Sequence, residues 1–330
     1  YPLRRQRQMC IRDRMNAKLQ IAVLMGGPSE ERDVSLRSGK AVMAALQRQG
    51  HAVHAVDPCE GKLSLPTQVD VAFLALHGTY GEDGQVQSEL HRLGVAYTGS
   101  GPDASRLAFD KASAKKVFME RGLPTPAFAV ISDADQLIPE ELSLPLVVKP
   151  SCQGSSVGLH FVEKEAQWQP AIEQVLSMGG TALVEQCIQG RELTVAILDG
   201  RAHPIVEILP KDDAAYDYDH KYRLGATEYV CPAQLDTFQT ERCQHIARQA
   251  YEALGCAGYG RVDLLLDCHG PTLLEVNTLP GMTETSLMPM AAQASGIDFD
   301  ALCQWMVEDA RKRHSAHPLS VNPSQSASLS

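Results

Sequence analysis

Three side chains in the C-terminal part of the chain, those of Asp263, Glu275 and Asn277, have oxygen atoms that could bind a divalent cation, and the cation Arg261 lies two residues before Asp263. Two apolar runs, 262–266 and 272–276, flank a Cys-His-Gly-Pro turn and predict a β-hairpin with a loop of about three to five residues. Residues two apart on a strand share a face. Each predicted strand therefore carries two of the polar groups on one face.

The two pairs lie on the same face of the hairpin only if Asp263 is opposite Glu275. That pairing requires a loop with an odd number of residues, or else a β-bulge. Two carboxylates and an amide oxygen suit Mg²⁺, which binds one or two carboxylates and completes its coordination with water and substrate phosphates. Charged residues are common on solvent-facing strands, so a surface without function is the alternative interpretation of Asp263 and Glu275.

The composition indicates a globular protein of about two or three domains, because 330 residues exceed the size at which one core usually keeps growing. A net charge of −10 argues against a nucleic-acid partner, which would require a basic face. Nine cysteines occur without a Cys-x-x-Cys pair, which favours a reducing compartment with neither disulfides nor a zinc site. No apolar run approaches the roughly 18 residues of a spanning helix, so we expect a cytoplasmic protein with no membrane partner.

The two ends of the chain differ from the rest. Residues 1–14 are rich in arginine and lack the apolar segment of a signal peptide. We expect them to be an extraneous leader, with Met15 as the natural start. Residues 314–330 contain many Ser and Pro residues and are predicted to be a disordered tail.

The N-terminal part predicts an α/β unit with an open parallel sheet. Apolar strands at 20–25, 51–56 and 69–76 are combined with a helical pattern that stops at Gly50. No Gly-x-Gly-x-x-Gly motif follows the first strand, and no Gly-x-x-x-x-Gly-Lys-Ser/Thr motif occurs in the chain. The sequence therefore argues against a nucleotide sensor built on this sheet.

Two groups near the ends of these strands could bind a ligand. Glu31 lies near the start of the first helix, where a carboxylate is also favoured by the helix dipole alone. His77 begins a glycine-rich loop, 77–84, at the carboxyl end of a strand. Ligands bind at such ends in open α/β sheets, and a plain connecting loop is the alternative.

The central part combines lysines with a loop of small residues. A helix predicted at 105–121 carries Lys111, and a strand predicted at 144–149 ends with Lys149 before the loop 150–158. Backbone amides and hydroxyls in such a loop can bind phosphate, with lysine acting as a point charge.

Further acidic groups and a long polar segment follow. Strands predicted at 181–186 and 192–198 carry Glu185 and Glu192. The Tyr-rich segment 211–227 shows no strand or helix period, and a loop of this length is usually functional, often as a lid. Together with the hairpin, these groups provide what phosphoryl transfer from ATP requires, namely positioning and charge neutralisation.

In their order and spacing, the motifs resemble those of the D-alanine–D-alanine ligases, which are members of the ATP-grasp family. The resemblance covers roughly residues 20–311 and rests on the motifs at 25–35, 76–78, 81–84, 97–101, 148–151, 154–158, 192–196, 260–263 and 275–283. It implies a three-domain ATP-grasp architecture. The implied domains are an N-terminal α/β substrate-binding domain (15–108), a central ATP-grasp domain (109–200) and a C-terminal catalytic domain (201–313).

The resemblance also implies an activity. ATP, as co-substrate, passes its γ-phosphate to the carboxylate of one D-alanine. The amine of a second D-alanine attacks the acyl phosphate and gives D-alanyl-D-alanine for peptidoglycan precursor synthesis. A homodimer is expected from the family alone.

Individual residues acquire roles from the same resemblance. Two Mg²⁺, for which Mn²⁺ can substitute, are expected at Asp263, Glu275 and Asn277. The implied ATP-binding residues are Lys111, Lys149, Ser156, Glu185, Glu192 and Lys221. The implied catalytic residues are Glu31, Ser155, Tyr222, Arg261, Gly281 and Ser286, with His77 and Leu287 binding substrate.

Within that set, Glu31 is expected to pair with the ammonium of the first D-alanine, assisted by His77. Arg261 and the amide of Gly281 are expected to stabilise the tetrahedral intermediate, and Ser286 to bind the carboxylate of the second D-alanine. The triad of Glu31, Ser155 and Tyr222, which connects loop and lid, rests wholly on the resemblance.

Two other functions remain open at this point. A related ligase could join D-alanine to D-lactate or D-serine, although Tyr222 matches the dipeptide-forming pattern. A non-catalytic ATP-binding regulator could keep the same fold, although loss of Arg261 or of an acidic metal ligand would be expected in it, and none is lost.

Overall fold

The computed structural model describes residues 18–154, 157–210 and 227–316, and these ranges contain three β-sheets. The strands are β1 (Gln20–Leu24), β2 (Ala52–Val56), β3 (Val71–Leu74), β4 (Phe128–Ile131), β5 (Leu146–Pro150), β6 (His160–Val162), β7 (Ala182–Gln186), β8 (Arg191–Leu198), β9 (Arg201–Ala202), β10 (Val206–Pro210), β11 (Thr227–Val230), β12 (Tyr259–Asp267) and β13 (Gly270–Asn277). The helices are α1 (Arg32–Arg48), α2 (Gln85–Leu93), α3 (Pro102–Phe109), α4 (Lys111–Glu120), α5 (Trp168–Ser177), α6 (Thr237–Ala253), α7 (Leu287–Ala294) and α8 (Phe299–Ala316).

Across these same ranges, every helix is too short or too polar to cross a lipid bilayer.

The N-terminal sheet has the order β2-β1-β3, and all its strands are parallel. The parallel α/β prediction for this part of the chain is therefore confirmed. Parallel strands end at one common edge. The loops after β1 and β3, which carry Glu31 and His77, consequently meet at that edge.

The last two helices complete the core of the N-terminal sheet. Helix α8 packs against α1 and β3, and its Leu302 and Met306 belong to the same buried cluster as Phe73. On the surface, Arg48 of α1 donates two hydrogen bonds to the carboxylate of Asp300, at 2.8 and 2.5 Å. Helix α8 is thus part of the N-terminal layer, although it lies far from that layer's strands in the sequence.

The other two sheets are antiparallel. The middle sheet has the order β4-β7-β5-β6 and packs against α5 through Trp168, Ile172 and Val175. The third sheet has the order β11-β10-β8-β12-β13, with β9 beside β8. Helix α6 covers this sheet with Cys243 and Ala250.

The hairpin of β12 and β13 places Asp263 directly opposite Glu275. Its loop is tighter than predicted, because Asp267 pairs with Gly270 and leaves only two residues in the turn. The pairing register shifts between Asp263 and Leu264, so that Leu274 is the extra residue of a β-bulge. The predicted loop of three to five residues is wrong, and the predicted alternative of a bulge is confirmed.

The prediction of a single helix at 105–121 is also wrong, because the structure has two helices, α3 and α4, in this part of the chain. Asp110 separates α3 from α4 with an extended backbone at φ −82° and ψ 96°. Its carboxylate caps α4 by accepting hydrogen bonds from the amides of Ala112 (3.1 Å) and Ser113 (3.4 Å). It also accepts a 2.6 Å hydrogen bond from the Ser151 hydroxyl, so a tertiary contact stabilises the break.

The predicted boundary at residue 200 falls inside the third sheet. Strand β8 pairs with β10 and β12 and makes no pair with the middle sheet. The sheet pairing therefore favours a division between the middle and third sheets at 187–190.

The packing of α1 gives a first prediction. A methyl group at Gly39 would overlap with Met25 Cβ, which cannot move without the backbone. Although alanine is the better helix former, we expect Gly39→Ala to lower the free energy of unfolding by about 1–3 kcal/mol in urea titrations. The exposed neighbour Lys40 is the control, since Lys40→Ala should change the free energy of unfolding by less than about 0.5 kcal/mol. A more stable Gly39→Ala variant would contradict this packing.

Candidate active site

A cavity of about 350 Å³ lies where the three sheets meet. Among the described residues, its polar walls include Glu31, His77, Glu82, Lys111, Lys149, Gln153, Glu192, Arg261, Asp263, Glu275 and Asn277. These groups come from the loops of the N-terminal sheet, from α4 and β5, and from the third sheet. The volume is within the range of small-molecule sites, about 300–1,000 Å³.

The four polar residues of the hairpin share the cavity face. Asp263 is opposite Glu275, and Arg261 is opposite Asn277. Arg261 donates two hydrogen bonds to Asp263, from Nε at 2.9 Å and from Nη2 at 2.7 Å. The hydroxyl of Thr194, on the adjacent β8, donates a third at 2.6 Å. The Asp263 carboxylate is therefore held in one orientation.

The donor set of this face fits Mg²⁺. Asp263 and Glu275 offer carboxylate oxygens, and Asn277 offers an amide oxygen that the Leu279 N–H orients at 2.9 Å. Over the ranges that the structure describes, no group of three or more His, Cys, Asp or Glu side chains could hold a metal ion. Two carboxylates and an amide are donors of the kind that Mg²⁺ binds, with water and substrate phosphates completing its coordination.

Lys111 lies at the first turn of α4 and reaches across the cavity to the hairpin. Its Nζ is 3.2 Å from Glu275 Oε2 and donates to the Gln153 carbonyl at 2.5 Å. Burial by itself raises the pKa of Glu275, but Lys111 and the cations beyond it outweigh burial and lower that pKa. Glu275 is consequently ionised at neutral pH.

Lys149 and Glu185 form a second ion pair. Lys149 Nζ, at the end of β5, is 2.5 Å from Glu185 Oε2. Burial favours a raised pKa for Glu185, but Lys149 and Lys115 lower it to about 2. Glu185 is 2% exposed and lies behind Lys149 instead of on the cavity wall, whereas Glu192 is on the wall.

Glu31 approaches the loop after β5 closely. A methyl group at Gly154 would lie 2.5 Å from Glu31 Oε2, and one at Gly78 would lie 2.9 Å from the same atom. Only glycine allows the carboxylate to lie against both segments. The predicted catalytic residue Ser155 and the predicted ATP-binding residue Ser156 directly follow Gly154, but they lie outside the described residues, as do Lys221 and Tyr222.

His77 connects three segments around the cavity. Its Nδ1 is 3.0 Å from the Leu279 carbonyl, and its Nε2 is 3.2 Å from the Ser38 hydroxyl, which also accepts from the Met282 N–H at 3.2 Å. A carbonyl can only accept, so Nδ1 carries a proton and donates it to Leu279. His77 thus holds the loop that contains Gly281, which lines the cavity.

Ser286 and Leu287 lie beside the cavity and are not among its described wall residues. Ser286 precedes α7, and its hydroxyl accepts a hydrogen bond from the Thr283 N–H at 3.1 Å. A methyl group at Gly281 would be 3.1 Å from that hydroxyl. The structure therefore brings Ser286 next to Gly281.

Sequence reasoning missed Glu82 as a site residue. Glu82 is on the cavity wall, is buried, and has its Oε1 3.5 Å from His77 Nδ1. Burial raises its pKa, and the hydrogen bond with His77 opposes this only partly. The signal was present, since Glu82 lies in the glycine-rich loop that follows His77.

Comparisons with known proteins give the same assignment over most of the chain. A family model described as "D-ala D-ala ligase C-terminus" matches residues 117–308, and one described as "D-ala D-ala ligase N-terminus" matches 58–100. A D-alanine–D-alanine ligase of Methylacidiphilum infernorum is 48% identical over 298 residues, which cover 90% of this chain and 97% of the relative. One of Acinetobacter baylyi is 44% identical over 287 residues, 86% and 93% of the two chains.

Solved structures agree in fold. The D-alanine–D-alanine ligase from Bacillus anthracis complexed with ATP superimposes with a TM-score of 0.80 at 33% identity, over 91% of this chain and 99% of that chain. The enzyme from Coxiella burnetii gives a TM-score of 0.80 at 25% identity, over 91% and 95%.

The fold and the cavity define a protein of the ATP-grasp class, with its polar face on an antiparallel hairpin. Within that class, the chain belongs to the D-alanine–D-alanine ligase family.

The buried Glu82 gives a prediction for pH. A carboxyl whose folded pKa is raised contributes stability that is complete below the ordinary value of 4.5 and is lost as pH rises through the folded pKa. Glutamine at position 82 does not titrate, so Glu82→Gln does not lose stability in this way. We therefore expect the free energy of unfolding of the variant, relative to that of the unmodified protein, to be higher at about pH 8 than at about pH 4.

Urea unfolding at the two pH values measures the difference. Glu60→Gln, at an exposed carboxylate, is the control. Its free energy of unfolding should differ from that of the unmodified protein by the same amount at both pH values. The same pH-independence for Glu82→Gln would show that burial does not control this carboxyl.

Proposed function

We propose that this chain ligates two D-alanines to D-alanyl-D-alanine with ATP, through a D-alanyl phosphate, in peptidoglycan precursor synthesis. The observation that carries the proposal is the single cavity face of Arg261, Asp263, Glu275 and Asn277, in a chain of this family. Lys111 adds a cation opposite that face. Phosphoryl transfer needs such positioned charges more than covalent catalysis.

The nucleotide would lie between the middle and third sheets. Lys111 and Lys149 would contact its phosphates and adenine, with Lys221 and Ser156 joining from segments outside the described residues. Glu192 would bind the ribose side from the cavity wall, and Glu185 would act at the adenine side together with Lys149. The Bacillus anthracis structure, which is described as complexed with ATP, supports ATP as the co-substrate.

Asp263, Glu275 and Asn277 would hold Mg²⁺, or Mn²⁺ in its place, as two ions. Such an ion, when bound, neutralises phosphate charge. Lys111 lies against Glu275, and Arg261 lies against Asp263.

The amino acid substrates would lie between the hairpin and the N-terminal loops. Glu31, assisted by His77, would pair with the ammonium of the first D-alanine. Arg261 and the Gly281 amide would stabilise the oxyanion of the tetrahedral intermediate, since donors aimed at developing charge give large rate effects. Ser286, with Leu287 beside it, would bind the second D-alanine.

The loop and the lid would close this site. Ser155 and Tyr222 would connect them with Glu31 and exclude water during transfer. We also propose a cytoplasmic homodimer, with the N-terminal domain ending near residue 108 and the C-terminal domain ending near residue 313.

The first test is ATP-dependent phosphate release by the purified chain with Mg²⁺. D-alanine, L-alanine, and D-alanine with D-lactate are compared, and products are identified by mass spectrometry. We expect release with D-alanine alone, accompanied by the dipeptide. ATP binding without release for any amino acid would contradict the ligase and favour an ATP-binding regulator.

The metal assignment gives a separate prediction. Glu275→Ala removes a carboxylate of the proposed Mg²⁺ set, so we expect turnover to fall at least about a hundredfold. The thermal midpoint should fall modestly, because the buried Lys111 loses Glu275 as a partner but keeps its hydrogen bond to the Gln153 carbonyl. Glu241→Gln, at an exposed carboxylate on α6, is the control with unchanged turnover. Normal turnover of Glu275→Ala at all Mg²⁺ concentrations would overturn the assignment.

A further inference from the structure

Lys115 is a fully buried cation that does not contact the cavity. Its side chain on α4 is 0% exposed, and it is not among the cavity wall residues of the described ranges. Lysine is rarely buried without a partner, because desolvation of the ammonium is costly. The acceptors around it therefore indicate what it does.

Two oxygen acceptors hold the ammonium of Lys115. Its Nζ is 2.5 Å from Glu185 Oε1 and 2.5 Å from Thr125 Oγ1, and it lies 5.5 Å from the centre of the Phe128 ring. Thr125 uses its own proton on the Leu273 carbonyl at 3.0 Å. Lys115 must consequently be the donor to Thr125, and its contact with Glu185 is an ion pair.

Glu185 is bound by two lysines at once. Lys115 takes one carboxylate oxygen, and Lys149 takes the other at 2.5 Å. Of these two cations, only Lys149 reaches the cavity wall. The two ammonium groups and the one carboxylate have a net charge of +1. Lys149 presents this charge to the cavity because it is the lysine on the cavity wall.

We propose that Lys115 is a positioning residue for nucleotide binding. It neutralises Glu185 from behind, and it thereby keeps the charge of Lys149 available to an anionic ligand. Without Lys115, Glu185 and Lys149 would form a neutral pair, and a phosphate would have to compete with the full charge of Glu185 for Lys149.

The same ammonium connects the two sheets that flank the cavity. Glu185 is on β7 of the middle sheet, and Leu273 is on β13 beside Glu275. The chain of contacts from Glu185 through Lys115 and Thr125 to Leu273 therefore fixes the nucleotide-side lysine relative to the hairpin. Its loss should affect the nucleotide more than the amino acid substrates.

The inference rests on the proposed ATP site, and its test uses binding instead of turnover. Isothermal titration calorimetry with ATP and Mg²⁺ is carried out on the full chain and on Lys115→Met, Glu185→Gln and the double variant. Lys116→Met is the matched control, because Lys116 is the next residue on α4 and is exposed. If the unmodified chain binds no ATP, the proposed function fails before Lys115 is tested.

We expect Lys115→Met to bind ATP at least about tenfold more weakly, since it leaves a buried carboxylate with one cation fewer. Lys116→Met should bind as the unmodified chain does. Because Lys115 acts through Glu185, the double variant should bind ATP more tightly than Lys115→Met and within about twofold of Glu185→Gln. In steady-state assays, the KM for ATP should rise in Lys115→Met while the KM for D-alanine stays constant.

Unchanged ATP affinity in Lys115→Met would overturn the proposal. If that variant does not fold, the comparison of the double variant with Glu185→Gln decides. A double variant that binds ATP much more weakly than Glu185→Gln would show that Lys115 does not act through Glu185.

Discussion

The arrangement of the active site depends on one β-bulge in the hairpin of β12 and β13. With the two-residue turn alone, Leu274 would be opposite Asp263, and Glu275 would be opposite Val262 on the buried apolar face. The extra residue at Leu274 reverses this alternation, so that Glu275 and Asn277 face the cavity. A one-residue difference in backbone pairing therefore decides whether Glu275 lies opposite Asp263 on the cavity face or is buried against α6.

Charge balance is the second constraint on the cavity, because a buried charge is costly without a partner. Four of the acidic groups on or behind its wall are Glu82, Glu185, Asp263 and Glu275, and the cations among them are Lys111, Lys115, Lys149 and Arg261. Most of the carboxylates lie against one of these cations. A polyphosphate that enters the cavity would compete with Glu275 for Lys111, and it would compete with Glu185 for Lys149 only as far as Lys115 leaves Glu185 charged. Affinity for the anion is therefore a difference between two sets of ion pairs.

Local pattern was sufficient to predict the parallel N-terminal sheet, because apolar strands separated by a helical segment favour one topology. It was also sufficient to place Arg261, Asp263, Glu275 and Asn277 on shared strand faces. The pattern could not decide between a loop with an odd number of residues and a bulge. The alternation of apolar and polar residues does not determine how many residues lie in the turn between Asp267 and Gly270. The break at Asp110 depends on Ser151, which is distant in sequence. The pairing of Lys115 with Glu185 is equally non-local, and so helix α4 alone gave no sign of it.

The packing of α8 onto the N-terminal sheet has a consequence for the order in which the protein can fold. Phe73 and the strands around it share a buried cluster with Leu302, Met306 and Val307, which the ribosome produces more than 200 residues after β3. The first sheet to be synthesised therefore keeps an uncovered apolar face until α8 has been made. Contacts of such long sequence separation slow folding and expose surface to aggregation. A nascent chain that stops before α8 consequently exposes the apolar residues that this helix covers.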